Sequence, residues 1–181
     1  VRVHNERLEL KRSGEQEDHI VGDAIHGILC FWDERIAENK RIELIDNQFR
    51  AFGLEDITDP KLMDQHCEAF FRWINDQYAV TRVHREYPVS MRDDDQVWRG
   101  SIDMLVETAE GYVIIDYKTF QGSIKQIMDP NSEFYAGKYA GQLARYKKMI
   151  EATHPEGKKV KEMLVYYSVL GVMVKLNINQ N

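Results

Sequence analysis

Long apolar runs are missing from this 181-residue chain. No stretch approaches the roughly 20 residues that a membrane-spanning helix requires, and the first residues hold no apolar signal-peptide region. Cysteine is scarce: Cys30 and Cys67 lie far apart and fit neither a zinc pattern nor a disulfide framework. A reducing, cytoplasmic setting with no membrane attachment is the expectation. An excess of basic residues is missing as well, since 24 Lys and Arg against 30 Asp and Glu give a net charge of −6. That argues against general attraction to nucleic acid, although a metal site and a local basic groove would still permit a nucleic-acid enzyme. There is no Gly-rich phosphate loop ending in Gly-Lys-Ser/Thr, no internal repeat, no low-complexity stretch and no linker. One domain spanning 1–181 is expected, large enough to bury its own core. Its charge-rich start ("HNERLELKRSGEQED") reads as a piece cut from something longer.

Helical spacing comes first along the chain. Ile20, Ala24, Ile25, Ile28, Leu29, Trp32 and Ile36 recur with a helical period, and Asp18 is the expected N-cap. Residues 40–58 read as a weaker helix or an irregular connection. Another helix follows Asp59-Pro60, with Leu62, Met63, Cys67, Phe70, Phe71 and Ile74 on its apolar side. Strands then follow at 81–90 and 96–107, separated by the acidic turn "RDDD" at 92–95, and again at 111–119. Residues 121–132 read as loop and 133–152 as helix, closed by Pro155 and Gly157. Two last strands, 161–170 and 172–178, hinge at Gly171. The Tyr135, Tyr139 and Tyr146 stripe reads as core packing. The order predicts an α/β fold with a mixed central β-sheet flanked by helices, core order α-β-β-β-α-β.

The run "GYVIIDYKTF" (111–120) is apolar like a buried strand, yet it delivers Asp116, Tyr117 and Lys118 in succession. Pairing it with "GSIDMLVE" (100–107) as a hairpin sets Asp103 opposite Asp116 if the loop is 108–111, or opposite Lys118 if the loop is 110–111. Either register predicts Asp103, Asp116 and Lys118 on one face. Facing carboxylates repel, and a hard divalent cation resolves the conflict, with Lys118 suited to position or activate a water. The same residues also fit a cross-strand salt bridge at a solvated edge. The pattern alone leaves both readings open.

A wider resemblance separates them. "GSIDMLVETAEGYVIIDYKTF" resembles the core of PD-(D/E)XK nucleases of the RecB-like branch, matching at Gly100, Ile102, Asp103, Asp116, Tyr117, Lys118 and Thr119. "VGDAIHGIL" resembles the upstream helix of that family, with His26 four residues after Gly22. "GQLARY" matches its downstream Gln-x-x-x-Tyr motif at Gln142 and Tyr146. The resemblance covers roughly 20–150 in family order and implies a restriction-endonuclease-like fold. It implies that Asp103, Asp116 and the Tyr117 carbonyl bind Mg²⁺ or Mn²⁺ with His26 completing the sphere. Lys118 would serve the nucleophilic water, and Gln142 and Tyr146 would contact the DNA backbone or orient the acids. Gly22 would permit close approach of a backbone or substrate.

Other residues are weaker candidates. Glu86 stands where some relatives carry an acid, yet it equally reads as a surface charge. "RDDD" reads as a solvated turn. Lys125, Lys138, Arg145, Lys147 and Lys148 would supply a basic groove or simply a wet helix face. Two cysteines are too few for the iron–sulfur subtype of the family. The expected function is metal-dependent DNA exonuclease action in double-strand-break repair or recombination. The expected partners are DNA, helicase domains of the same parent chain and a further subunit. The alternatives are a non-catalytic DNA-binding or scaffolding domain, and an RNA-directed or site-specific endonuclease on the same fold.

Overall fold

A computed structural model describes residues 1–11, 18–93, 96–154 and 157–177. Its elements are β1 (Arg2–Val3), α1 (Asp18–Phe31), α2 (Glu38–Ala51), α3 (Pro60–Gln77), β2 (Val80–Asp93), β3 (Gln96–Thr108) and β4 (Tyr112–Lys118). There follow α4 (Ile124–Met128), a 3₁₀ turn (Ala136–Tyr139), α5 (Ala140–Thr153), β5 (Val160–Tyr167) and β6 (Val172–Lys175). The strands form one six-stranded sheet in the order β1-β6-β5-β4-β3-β2. Within it β4 and β5 run parallel, and the other neighbours are antiparallel. The expected mixed sheet flanked by helices is therefore the fold.

β4 sits inside the sheet with helices over both faces, which is why its sequence is apolar without alternation. Val113, Ile115 and Tyr117 join the core beneath α1, α2 and α3, with Val21, Ile25, Phe49 and Phe70. Tyr112 and Ile114 face the other core, with Ile127 of α4 and Leu143 and Ile150 of α5. The helix α1 is fastened from its far end. Trp32, just past α1, donates through Nε1 to Asp64 of α3 at 2.7 Å. The same buried carboxylate takes a two-pronged contact from Arg41 of α2, at 2.7 and 2.9 Å. Paired and hydrogen-bonded on both sides, that charge locks the three helices together.

Several local expectations change. Asp18 is the first helical residue rather than the cap. Asp59 is the N-cap of α3, accepting from the Lys61 N–H at 2.8 Å ahead of Pro60. Residues 38–51 form a full helix, and Leu62 is exposed rather than on the apolar side. The expected loop 121–132 contains α4, started by a capping box between Ser123 and Gln126. Gly171 does hinge the last strands, at φ 65°. Asp94 and Asp95 of the "RDDD" turn, Pro155 and Ile178 lie outside the described residues.

Candidate metal centre and its supports

The hairpin takes the longer-loop register, with Glu107 opposite Tyr112, Leu105 opposite Ile114 and Met104 opposite Ile115. There the pairing ends and β3 and β4 part. One step further, Asp103 replaces the missing ladder acceptor: its Oδ2 accepts the Tyr117 backbone N–H at 2.6 Å. Alternation breaks at the same level. Ile102 and Leu105, three residues apart, belong to the same core, whereas Met104 and Val106 belong to the opposite one. β2 turns over with β3, since the register is unbroken from Arg85↔Met104 to Tyr87↔Ile102. Between these pairs stands Glu86, with a left-handed backbone at φ 48°.

At this break the two acids find different neighbours, although the Asp116 charge still acts on Asp103. Asp103 meets residues from the α1 side, while Asp116 meets residues from α5. His26, halfway along α1, places Nδ1 4.0 Å from Asp103 Oδ1. Its Nε2 lies 3.3 Å from the Tyr117 carbonyl oxygen. An Nε2–H donated to that carbonyl leaves the Nδ1 lone pair toward Asp103. Glu86 completes a trio, and one ligand atom each from His26, Glu86 and Asp103 fall within 4.8 Å of one another. Burial pushes the Asp103 carboxyl up to about 6; the Asp116 and Glu86 charges add to this, against the Tyr117 N–H and His26.

Asp116 is 4% exposed. Its Oδ1 accepts from Gln142 Nε2 at 3.4 Å, and the same amide donates to the Tyr146 hydroxyl at 3.1 Å. Helical spacing makes that possible, because residues four apart on α5 share a face. Asp116 Oδ2 is an ion-pair neighbour of Lys118 Nζ at 2.8 Å, but among the described residues no donor meets hydrogen-bond geometry there. A buried carboxylate oxygen so placed retains acceptor capacity for a cation. Lys118 Nζ also lies 4.4 Å from the centre of the Tyr139 ring. The Lys118 carbonyl is held by the Ser168 N–H at 3.0 Å, which anchors the end of β4.

The residues singled out from sequence thus gather around the gap between β3 and β4. His26, Asp103 and Tyr117 stand on one side, and Asp116, Lys118, Gln142 and Tyr146 on the other, with Tyr117 belonging through its backbone. The Tyr117 hydroxyl is buried in the helix-side core, with no hydrogen-bond partner among the described residues. Glu86, which the sequence left open between a site acid and a surface charge, is exposed and stands beside His26 and Asp103. Gly22 makes no unusually close approach, since a Cβ there would meet only the Thr119 side chain at 3.7 Å. Gly100 is the crowded one: a Cβ would stand 2.7 Å from Tyr146 Cε1.

A family profile for the PD-(D/E)XK nuclease superfamily matches residues 3–175. The chain belongs to that superfamily. Within it, this PD-(D/E)XK chain is 33% identical over 104 residues to an ATP-dependent helicase/nuclease protein of Anoxybacillus flavithermus (strain DSM 21510 / WK1). The match takes in 55% of this chain and 8% of that relative, so the chain corresponds to a small part of its relative's length. Among solved structures, a candidate exonuclease from Eubacterium rectale aligns with a TM-score of 0.50 and 10% identity, over 93% of this chain and 62% of the other. At that identity the likeness speaks for the fold.

Proposed function

We propose that this chain is the DNA-hydrolysing module of a longer helicase–nuclease, a Mg²⁺- or Mn²⁺-dependent exonuclease that works in double-strand-break repair or recombination. The observation that carries the reading is the meeting of His26, Glu86 and Asp103 within 4.8 Å, at the same strand gap as a buried Asp116. Carboxylates with one imidazole suit a hard divalent ion, and Asp116 Oδ2 has acceptor capacity to spare. His26 Nδ1, Glu86, Asp103 and Asp116 would hold the ion, with the Tyr117 carbonyl beside them. Once bound, it would make water more acidic and offset negative charge growing on the phosphoryl oxygens.

The chain's own groups divide the remaining tasks. Lys118, held between Asp116 and the Tyr139 ring, would supply a donor to a water or phosphate oxygen. Gln142 fixes Asp116 and is itself fixed by Tyr146. The Asp103 side chain ties the strand carrying Asp116 and Lys118 to the strand carrying Glu86's partner residues. Residues 1–181 would act as one unit, fed with DNA by helicase domains of the parent chain and by a further subunit.

The test is digestion of linear single- and double-stranded DNA with Mg²⁺ or Mn²⁺, beside Asp116→Ala and Lys118→Ala. The wild type should cut linear DNA and spare covalently closed circles, with each variant slower by about a hundredfold or more. Equal inertness of all three at several metal concentrations would replace the enzyme by a binding domain. Efficient cutting of closed circles would make it an endonuclease.

A further inference from the structure

The β2–β3 hairpin reaches well past the sheet. β4 pairs with β3 only over Met104–Glu107, whereas β2 and β3 stay paired out to Asp93 and Gln96. On the α5 side of this arm, cross-strand pairing places Val89 with Gly100 and Met91 with Trp98. Val89 is buried in the α5-side core and Tyr146 lies on Gly100, so the inner part of the face is covered. Further out the cover ends, and Trp98 is 37% exposed. The Arg145 guanidinium of α5 braces it, 5.5 Å from the ring centre.

A single exposed tryptophan is ordinary on a protein surface. Three features set this one apart. Arg145 lies over the ring. A continuous chain of contacts, Gly100–Tyr146–Gln142–Asp116, runs from the arm to the proposed metal centre. The residue beside Trp98, Arg145, is itself an exposed cation in a chain that is acidic overall, whereas Arg92 and Arg99, also exposed, alternate onto the opposite face of the arm.

We propose that Trp98 and Arg145 form a stacking platform for single-stranded DNA, Trp98 taking an unpaired base and Arg145 the adjoining phosphate. The inference rests on the reading of the centre as a DNA-cleaving site and adds where the strand lies. Base–indole stacking is indifferent to sequence and needs an open base face, which a paired duplex offers only at its end. Trp98 and Asp103 stand five steps apart along β3, ~17 Å at the strand rise. That distance is about five nucleotides at B-form spacing and fewer for an extended strand.

Anisotropy of labelled oligo-dT of increasing length, measured on the full chain in EDTA, tests the platform without cleavage. Wild-type affinity should rise by about tenfold or more once the strand is long enough to reach Trp98. Trp98→Ala and Arg145→Met should lose that rise and still bind a trinucleotide like wild type, while Trp98→Phe keeps most of it. A 5-iododeoxyuridine in the long strand should photocross-link to Trp98. The platform is overturned if Trp98→Ala follows wild type at every length, as it would if the patch served a protein partner instead. It is equally overturned if the variant weakens trinucleotide and long strand alike, or weakens a blunt hairpin as much as a single strand. Cleavage assays separate the two readings. A wild type that cuts metal-dependently while Trp98→Ala shows no length effect loses only the platform. A wild type that neither binds nor cuts DNA loses both.

Discussion

The Tyr117 backbone N–H donates to Asp103 Oδ2 at 2.6 Å, at the level where β3 and β4 stop pairing. A buried amide in a central strand needs an acceptor, and the departing strand no longer offers a carbonyl. Asp103 supplies one from its side chain. The same carboxylate turns its other oxygen toward His26. The opening of the sheet and the gathering of ligands are therefore one event.

Replacing Asp103 separates its two contributions. Asparagine keeps an acceptor for the Tyr117 N–H but removes a carboxyl that burial has pushed up to about 6. In EDTA at pH 7, Asp103→Asn should unfold in urea with a free energy equal to wild type or higher by on the order of 1 kcal/mol. Asp103→Leu leaves the amide unpaired and should cost about 1–3 kcal/mol. Calorimetric titration with Mn²⁺ should show both variants weakened at least about tenfold. An Asn variant clearly less stable than the Leu variant would refute this division.

Glu86 makes a second separation possible, because its backbone at φ 48° is strained for any residue with a Cβ. Such strain costs about 1–3 kcal/mol, and glycine relieves it at an entropic penalty of about 0.5–1 kcal/mol. Glu86→Gly should match wild type in stability or exceed it by about 1 kcal/mol, whereas Glu86→Ala keeps the strain and gains nothing. Both lack the carboxylate, and both should bind Mn²⁺ more weakly. If Glu86→Gly held Mn²⁺ as tightly as wild type, Glu86 would have no place among the ligands.

The contrast between these two acids shows what was legible in the sequence. Asp103 and Asp116 could be related because hairpin register follows from a short loop and two apolar runs, and the 108–111 loop is the one the fold adopts. Helical spacing likewise joins Gln142 to Tyr146 without any knowledge of the fold. Glu86 could not be placed, because its left-handed backbone and the reversal of pleat beside it depend on how the strands fit the helices. β1, with two residues, is too short to show a period. α4 has five, and only the Ser123–Gln126 capping pair announced it.

Gly100 offers a test of how firmly Tyr146 is seated. A methyl there would stand 2.7 Å from Tyr146 Cε1, so the ring must shift and its hydroxyl leave Gln142. Gly100→Ala should cost about 1–3 kcal/mol of stability and lower the cleavage rate more than it raises KM. In Tyr146→Ala the obstacle is gone. The double variant should then be more stable than the sum of the single losses predicts, by about 0.5–3 kcal/mol. Strict additivity in urea unfolding would show that the two residues do not press on each other.

Acid should weaken the protein through two histidines outside the proposed ligand set. His66 of α3 accepts from Asn5 Nδ2 at 3.2 Å and donates to the Ser168 carbonyl at 2.5 Å, so its neutral form is fully used. His4 meets the Tyr166 hydroxyl at 3.0 Å. Burial lowers His66, and burial together with the neighbouring His66 lowers His4 to about 3. Both folded values lie below the ordinary 6.5, so the unfolded chain binds more protons once pH drops beneath it. Stability is therefore complete above 6.5 and falls as pH descends toward the folded values. Between pH 7 and 5.5 the loss through His4 should be about 1 kcal/mol, and His66 adds to it with the same sign. Asp103, raised rather than lowered, contributes with the opposite sign in this range, so the comparison is best made between variants. His66→Gln can still donate to Ser168 and accept from Asn5, and urea unfolding of that variant should show a clearly shallower pH dependence than wild type. A wild-type stability that holds level or rises as pH drops from about 7 to 5.5, with His66→Gln following it in parallel, would mean that neither histidine is held neutral by the fold.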